Sequence, residues 1–174
     1  MLPARIGPID ASEFEARYQQ YLPRVLNFIR LRVPDDAVAQ DLTAATFEQA
    51  FRKIDQLRDP NAFAGWLFRI ARNEVGQYYR RRRPQTDLDS VLDLAAREES
   101  PFEVAARREQ LAQVLRAVGD LPARDQELIA LKFAGELSNR EIAQATGLSE
   151  SNVGVILFRS IRKLRDKLGI AGEA

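Results

Sequence analysis

The chain has 174 residues, 45% hydrophobic and 29% charged, which suits one or two small globular domains. It contains no histidine and no cysteine, so disulfides and thiolate metal sites are excluded and an enzyme is disfavoured, because the commonest nucleophile, general base and zinc ligands are missing together. With 26 basic and 25 acidic residues the net charge is +1, which excludes a simple polycation.

In chain order, MLPARIGPIDAS lacks the apolar core of a signal peptide. No later stretch is apolar over the roughly 18 residues that a membrane span needs, so a cytoplasmic protein without membrane insertion is expected. Ser12 and Glu15 have the spacing of a capping box, and Phe14, Tyr18, Tyr21, Leu22, Val25 and Phe28 or Ile29 follow at helical intervals. Pro23 lies inside that pattern; a kink is expected there, since the apolar stripe continues on both sides. Pro34-Asp35-Asp36 ends this helix and caps a second over about 36–53, with Val38, Leu42, Ala45, Phe47, Ala50, Phe51 and Ile54 as its apolar set.

After a short polar connector, Asp59 as N-cap and Pro60 at the first position open a third helix. Phe63, Leu67, Ile70, Ala71 and Tyr78 form its core stripe, while Trp66, Arg69, Asn73, Gln77 and Arg80 share a second face. That face joins a stacking surface, amides that can read base edges and cations that can hold phosphates, and the helix runs into four arginines at 80–83. A solvated helix face with a basic C-terminus is the plainer reading of the same residues.

Periodicity then fails. Asp87, Asp89, Asp93, Glu98, Glu99 and Glu103 stand against Arg97 alone, the composition of an acidic linker. Helical spacing returns near Phe102, with Val104, Leu111, Val114, Leu115 and Val118, and stops at Gly119. Leu121-Pro122 starts a helix containing Leu128, Ile129, Leu131 and Phe133 that ends at Gly135. Ser138 and Glu141 then make a second capping box, Gly147 supplies a tight turn, and Ser149 caps a last helix. Ala143, four residues before Gly147, lets the two helices approach closely, as in a helix-turn-helix. On the last helix Val153, Ile156, Leu157, Ser160, Leu164 and Leu168 point inward, and Ser151, Asn152, Val155, Arg159 and Arg162 outward. The chain thus reads as all-α, two small helical domains at 1–83 and 103–174 joined by an acidic linker at 84–102.

In this order, DLTAATF (41–47), WLFRIARNEVGQYYRRRR (66–83), LPARDQELIALKF (121–133) and LSNREIAQATGLSESNV (137–153) resemble the extracytoplasmic-function sigma factors of the sigma-70 family. The resemblance implies a protein that binds core RNA polymerase, recognises the −35 and −10 promoter elements and opens DNA for transcription initiation. It implies core-polymerase contacts at Asp41, Leu42 and Glu48. Single-stranded −10 DNA would be held by Leu57, Arg58, Asn61, Trp66, Arg69, Asn73, Gln77 and Arg80. Duplex −35 DNA would be read by Ser149, Ser151, Asn152, Val155, Arg159 and Arg162. An anti-sigma factor is the further partner implied. Ala44-Ala45 and Gly154-Val155-Ile156 depart from the family's usual Gln-Glu and Lys-Ser-Arg. No GxxxxGK[ST] loop is present, and neither a cofactor nor a metal is expected. The alternative is a helix-turn-helix regulator that acts without core polymerase.

Overall fold

Asp10, not Ser12, starts the first helix: its side chain accepts from the Glu13 N–H at 2.8 Å, and α1 runs Ala11–Arg30. The Ser12/Glu15 spacing is therefore coincidental, and both residues lie within the first turns. The computed structural model describes residues 9–82 and 101–170, and among these every regular element is helical. Residues 1–8, Arg83 and the acidic stretch with Asp87, Asp89, Asp93, Glu98 and Glu99 lie outside the described residues. Among the described residues no helix is long and apolar enough to cross a membrane.

α1 continues as one helix through Pro23, and it buries Tyr21, Val25, Phe28 and Ile29. Asp35 caps α2, Asp36–Lys53. The expected apolar set of α2 needs correction. Phe51 is 59% exposed, whereas Thr43 and Thr46 are buried. Each threonine hydroxyl donates to the backbone carbonyl four residues earlier at 2.7 Å, so its methyl can face the core without leaving a polar group unpaired. Asp59 caps a short 3₁₀ turn, Pro60–Ala62, and α3 proper spans Phe63–Arg81. α1, α2 and α3 close one bundle. Its centre is aromatic, with Tyr18 edge-on to Phe47 at 4.8 Å and Phe28 edge-on to Phe68 at 5.7 Å.

The C-terminal half comprises α4 (Pro101–Gly119), α5 (Ala123–Ile129), α6 (Asn139–Thr146) and α7 (Glu150–Leu168). α5 passes into a π-helical turn at Ala130–Ala134, which rotates Phe133 outward to 60% exposure. α7 packs on α4, α5 and α6 around Leu128, Ile142, Val153, Ile156 and Leu157. The buried Ser160 hydroxyl donates to Asp125 at 2.9 Å, giving that buried carboxylate a partner.

The two helical domains pack against each other. Their buried residues form one contiguous cluster, and α3 lies directly against α6. Periodicity identifies which face of a helix is apolar but does not show which polar face a neighbouring domain will cover.

Candidate nucleic-acid interface

The first candidate surface is the outer face of α7. The Ser149 hydroxyl accepts from the Asn152 N–H at 3.2 Å, fixing the N-terminus of α7. Gly147 sits at φ +76°, a left-handed conformation that favours glycine, and the backbone alone sets this preference, since a Cβ there would meet nothing within 4 Å. Before that turn, Ser138 and Glu141 complete the capping box of α6. Val153, Ile156, Leu157 and Ser160 are buried, which leaves Ser149, Ser151, Asn152, Val155, Arg159 and Arg162 exposed on the opposite side. Sequence reasoning passed over Phe158, which is 70% exposed on this outer face. Its spacing of three from Val155 places it beside that residue on a helical wheel, so the signal was present.

The second candidate surface is the connector before α3 and the polar face of α3. Leu57 is half-buried, and Arg58 and Asn61 are exposed. Trp66 is partly buried, its ring 5.9 Å from that of Phe63, so one face of the indole is already used in packing. Asn73 and Arg80 are exposed, and Gln77 is half-buried. Arg69 is not free: its guanidinium donates to the Gln144 carbonyl at the end of α6. Arg72, outside the stripe read from sequence, donates to both Glu127 carboxylate oxygens at 2.8 and 3.0 Å and to the Ala145 carbonyl at 2.7 Å. The far end of α3 is anchored by Tyr79, whose hydroxyl donates to the Arg32 carbonyl and whose burial raises its pKa.

On α2, Asp41 and Glu48 are exposed and Leu42 is half-buried. Phe51 continues the side of the helix marked by Ala44 and Glu48, its ring edge-on to Phe14 at 5.2 Å. Arg52 pairs with Glu48 at 2.5 Å on the same side. Acidic, apolar and small groups therefore share one exposed strip, the composition of a protein-docking surface rather than a phosphate-binding one. No group of His, Cys, Asp or Glu among the described residues could hold a metal ion.

Comparison with known proteins agrees with this geometry. Residues 17–85 match the family model for Sigma-70 region 2, and residues 111–164 match that for Sigma-70, region 4. The chain is 35% identical over 167 residues to the ECF RNA polymerase sigma factor BldN of Streptomyces coelicolor, covering 92% of this chain and 61% of that one. It is 27% identical to SigM of Bacillus subtilis, covering 85% and 90%. Among solved structures, CnrH in complex with the cytosolic domain of CnrY is similar at 25% identity and a TM-score of 0.66, covering 94% of this chain and 92% of CnrH. With both regions matched in order along one helical chain, the protein belongs to the extracytoplasmic-function group of the sigma-70 family.

Proposed function

We propose that this chain is an RNA polymerase sigma factor that supplies promoter recognition and DNA opening to core polymerase, with each exposed surface serving one step. The strip of α2 with Asp41, Leu42 and Glu48 docks on core polymerase, and Phe51 extends that contact. Leu57, Arg58 and Asn61, with Trp66, Asn73 and Gln77 on α3, hold the non-template −10 strand with a base out of its stack. Arg69 and Arg80 neutralise its phosphates. The outer face of α7 enters the major groove at −35. The observation that carries the reading is the pairing in one chain of a single-strand surface with a duplex-reading helix whose outer face is exposed.

The chain contributes binding energy and no catalysis. Unstacking costs a few kcal/mol per flipped base, and stacking contacts return about 1–3 kcal/mol each, so a few contacts offset local opening without nucleotide hydrolysis. By analogy with CnrH, solved with the cytosolic domain of CnrY, an anti-sigma factor is a further partner. Purified chain mixed with core polymerase and a promoter library should give transcripts with defined starts. Tight sequence-specific duplex binding by the chain alone, with no transcription on adding core enzyme, would replace this reading with that of a helix-turn-helix regulator.

A further inference from the structure

The C-terminal half holds a buried carboxylate that the function proposed above does not use. Asp125, in the first turn of α5, is 8% exposed, and Ser160, near the middle of α7, is fully buried. The Ser160 hydroxyl donates to Asp125 Oδ2 at 2.9 Å, across 35 residues of sequence. An apolar pair would fill the same space without taking a carboxylate out of water, so packing alone does not explain these two residues.

Other helical hydroxyls in the chain behave differently. Thr43, Thr46 and Thr146 each donate to the carbonyl four residues earlier in their own helix at 2.7 Å. That local bond is open to any serine or threonine on a helix and ties the helix to nothing else. Ser160 donates instead to an acceptor on another helix, so its bond fixes α7 relative to α5.

The remaining contacts of α7 are less suited to setting its rotation. Val153, Ile156 and Leu157 are buried, but apolar contact has no direction and tolerates a small turn of the helix. Lys167 pairs with Asp120 at 2.6 Å near the far end, yet both side chains are substantially exposed, and such pairs constrain little. The bond from Ser160 to Asp125 is directional and charge-assisted, and its hydroxyl is shut off from water. With side chains reaching roughly 5–6 Å from the helix axis, a rotation of about 20° moves a tip on the outer face by roughly 2 Å. Hydrogen bonds to base edges hold over about 2.7–3.2 Å, so a turn that the apolar core would absorb is enough to lose them.

Resting on the sigma-factor reading above for the identity of the target, we infer that Asp125 and Ser160 are positioning residues for −35 readout: their buried hydrogen bond sets the rotation of α7 on α5, and with it the place where Ser151, Asn152 and Val155 meet the base edges.

Position and stability separate when both polar groups are removed at once. Asp125→Leu with Ser160→Ala refills the space with apolar atoms, so the melting temperature should equal or exceed that of the wild type. Bound to core polymerase, this double variant should nevertheless discriminate poorly at −35. A single mismatched base pair costs a specific binder roughly 5-fold or more in affinity, and that penalty should shrink at least about threefold. The salt slope should stay as in the wild type, because Arg159 and Arg162 are untouched. Asp125→Asn keeps an oxygen that accepts from the hydroxyl and should keep the wild-type penalty. If the first double variant melts well below the wild type, Asp125→Asn with Ser160→Ala takes its place, since it removes the hydroxyl and the buried charge at nearly unchanged volume. A wild-type mismatch penalty in the folded double variant would overturn the inference and leave a packing pair, and a relaxed penalty in Asp125→Asn would overturn it as well. Run-off transcription by the wild-type chain tests the sigma-factor reading separately: if core polymerase yields no transcripts, the same mismatch comparison on duplex DNA with the chain alone still decides whether the pair positions α7.

Discussion

α3 and α7 are both 19 residues long, both bury one apolar face and both turn a polar face outward, yet the structure treats the two polar faces differently. On α7 nothing covers Val155, at 54% exposure, or Phe158, at 70%. On α3 the guanidiniums of Arg69 and Arg72 are committed to carbonyls and a carboxylate of the other half. The outer face of α7, proposed to read duplex, is open, while the face of α3 proposed to hold the single strand is partly covered.

The largest expected effect comes from the same residue type on the two helices. Phe68 is fully buried, edge-on to Phe28 and against Gly135, so Phe68→Ala should cost about 3–5 kcal/mol of stability and loosen the contact between halves as well. Phe158→Ala should stay within about 0.5 kcal/mol of wild type, because the ring is solvent-facing, yet weaken duplex −35 binding by the holoenzyme. Thermal melts and promoter-binding titrations of the two variants separate the roles. Equal loss of stability in both would mean that Phe158 packs on the fold.

Gly65→Ala sharpens the comparison at the masked face. Alanine favours α3 by about 1 kcal/mol over glycine, but its methyl would meet Gln144 and the Glu141 carbonyl. Hydrogen exchange should therefore slow in α3 and quicken in α6, Asn139–Thr146. Uniform slowing would show that α6 yields to the methyl without letting go.

Much of this was legible in the sequence. The caps at Asp35, Ser138 and Ser149, the Gly147 turn, and the inward and outward faces of α7 follow from local chemistry, and the structure has them. Asp10 was missed because Ser12 and Glu15 offered a competing spacing. Phe51 was expected in the core because apolar residues usually are, yet it lies exposed with its ring edge-on to Phe14. The contact between the halves was not legible, because Arg69 reads as a strand-binding cation and Arg72 lies outside the stripe, until a second domain supplies their acceptors. Nothing local in a sequence specifies an acceptor 73 or 75 residues away.

The exposed polar residues on each helix should act at different stages. Asn73→Ala and Gln77→Ala should leave the fold within about 0.5 kcal/mol and core binding intact, yet reduce permanganate reactivity at −10. A pre-melted bubble should not rescue them if they contact the base. Val155→Ser should instead relax preference at one thymine of the −35 element, since a valine methyl can pack on a thymine methyl and a serine cannot. The salt slope of binding should be unchanged because no charge is altered. Identical −35 preferences from a promoter-library selection would remove Val155 from the reading face.

The smallest effect belongs to the bundle alone and tests whether the halves respond to acid together. Arg30 donates to Asp36 at 2.6 Å and Gln40 donates to its other oxygen, and these hydrogen bonds hold the Asp36 pKa below the ordinary 3.8. The folded-state pKa is therefore lower than the unfolded one, so the contribution is fully present above the unfolded value and is lost as pH falls through the folded value. Asp36 is substantially exposed, and screening limits the pair to the lower part of the roughly 0.2–1 kcal/mol typical of surface ion pairs. Asp36→Asn should accordingly lower the melting temperature slightly at neutral pH, and the difference from wild type should close as pH drops below 3.8. If the two halves share one cooperative core, spectroscopic probes in α2 and α7 should report the same small shift. A shift confined to α2 would show that the contact between α3 and α6 transmits little stability between the halves.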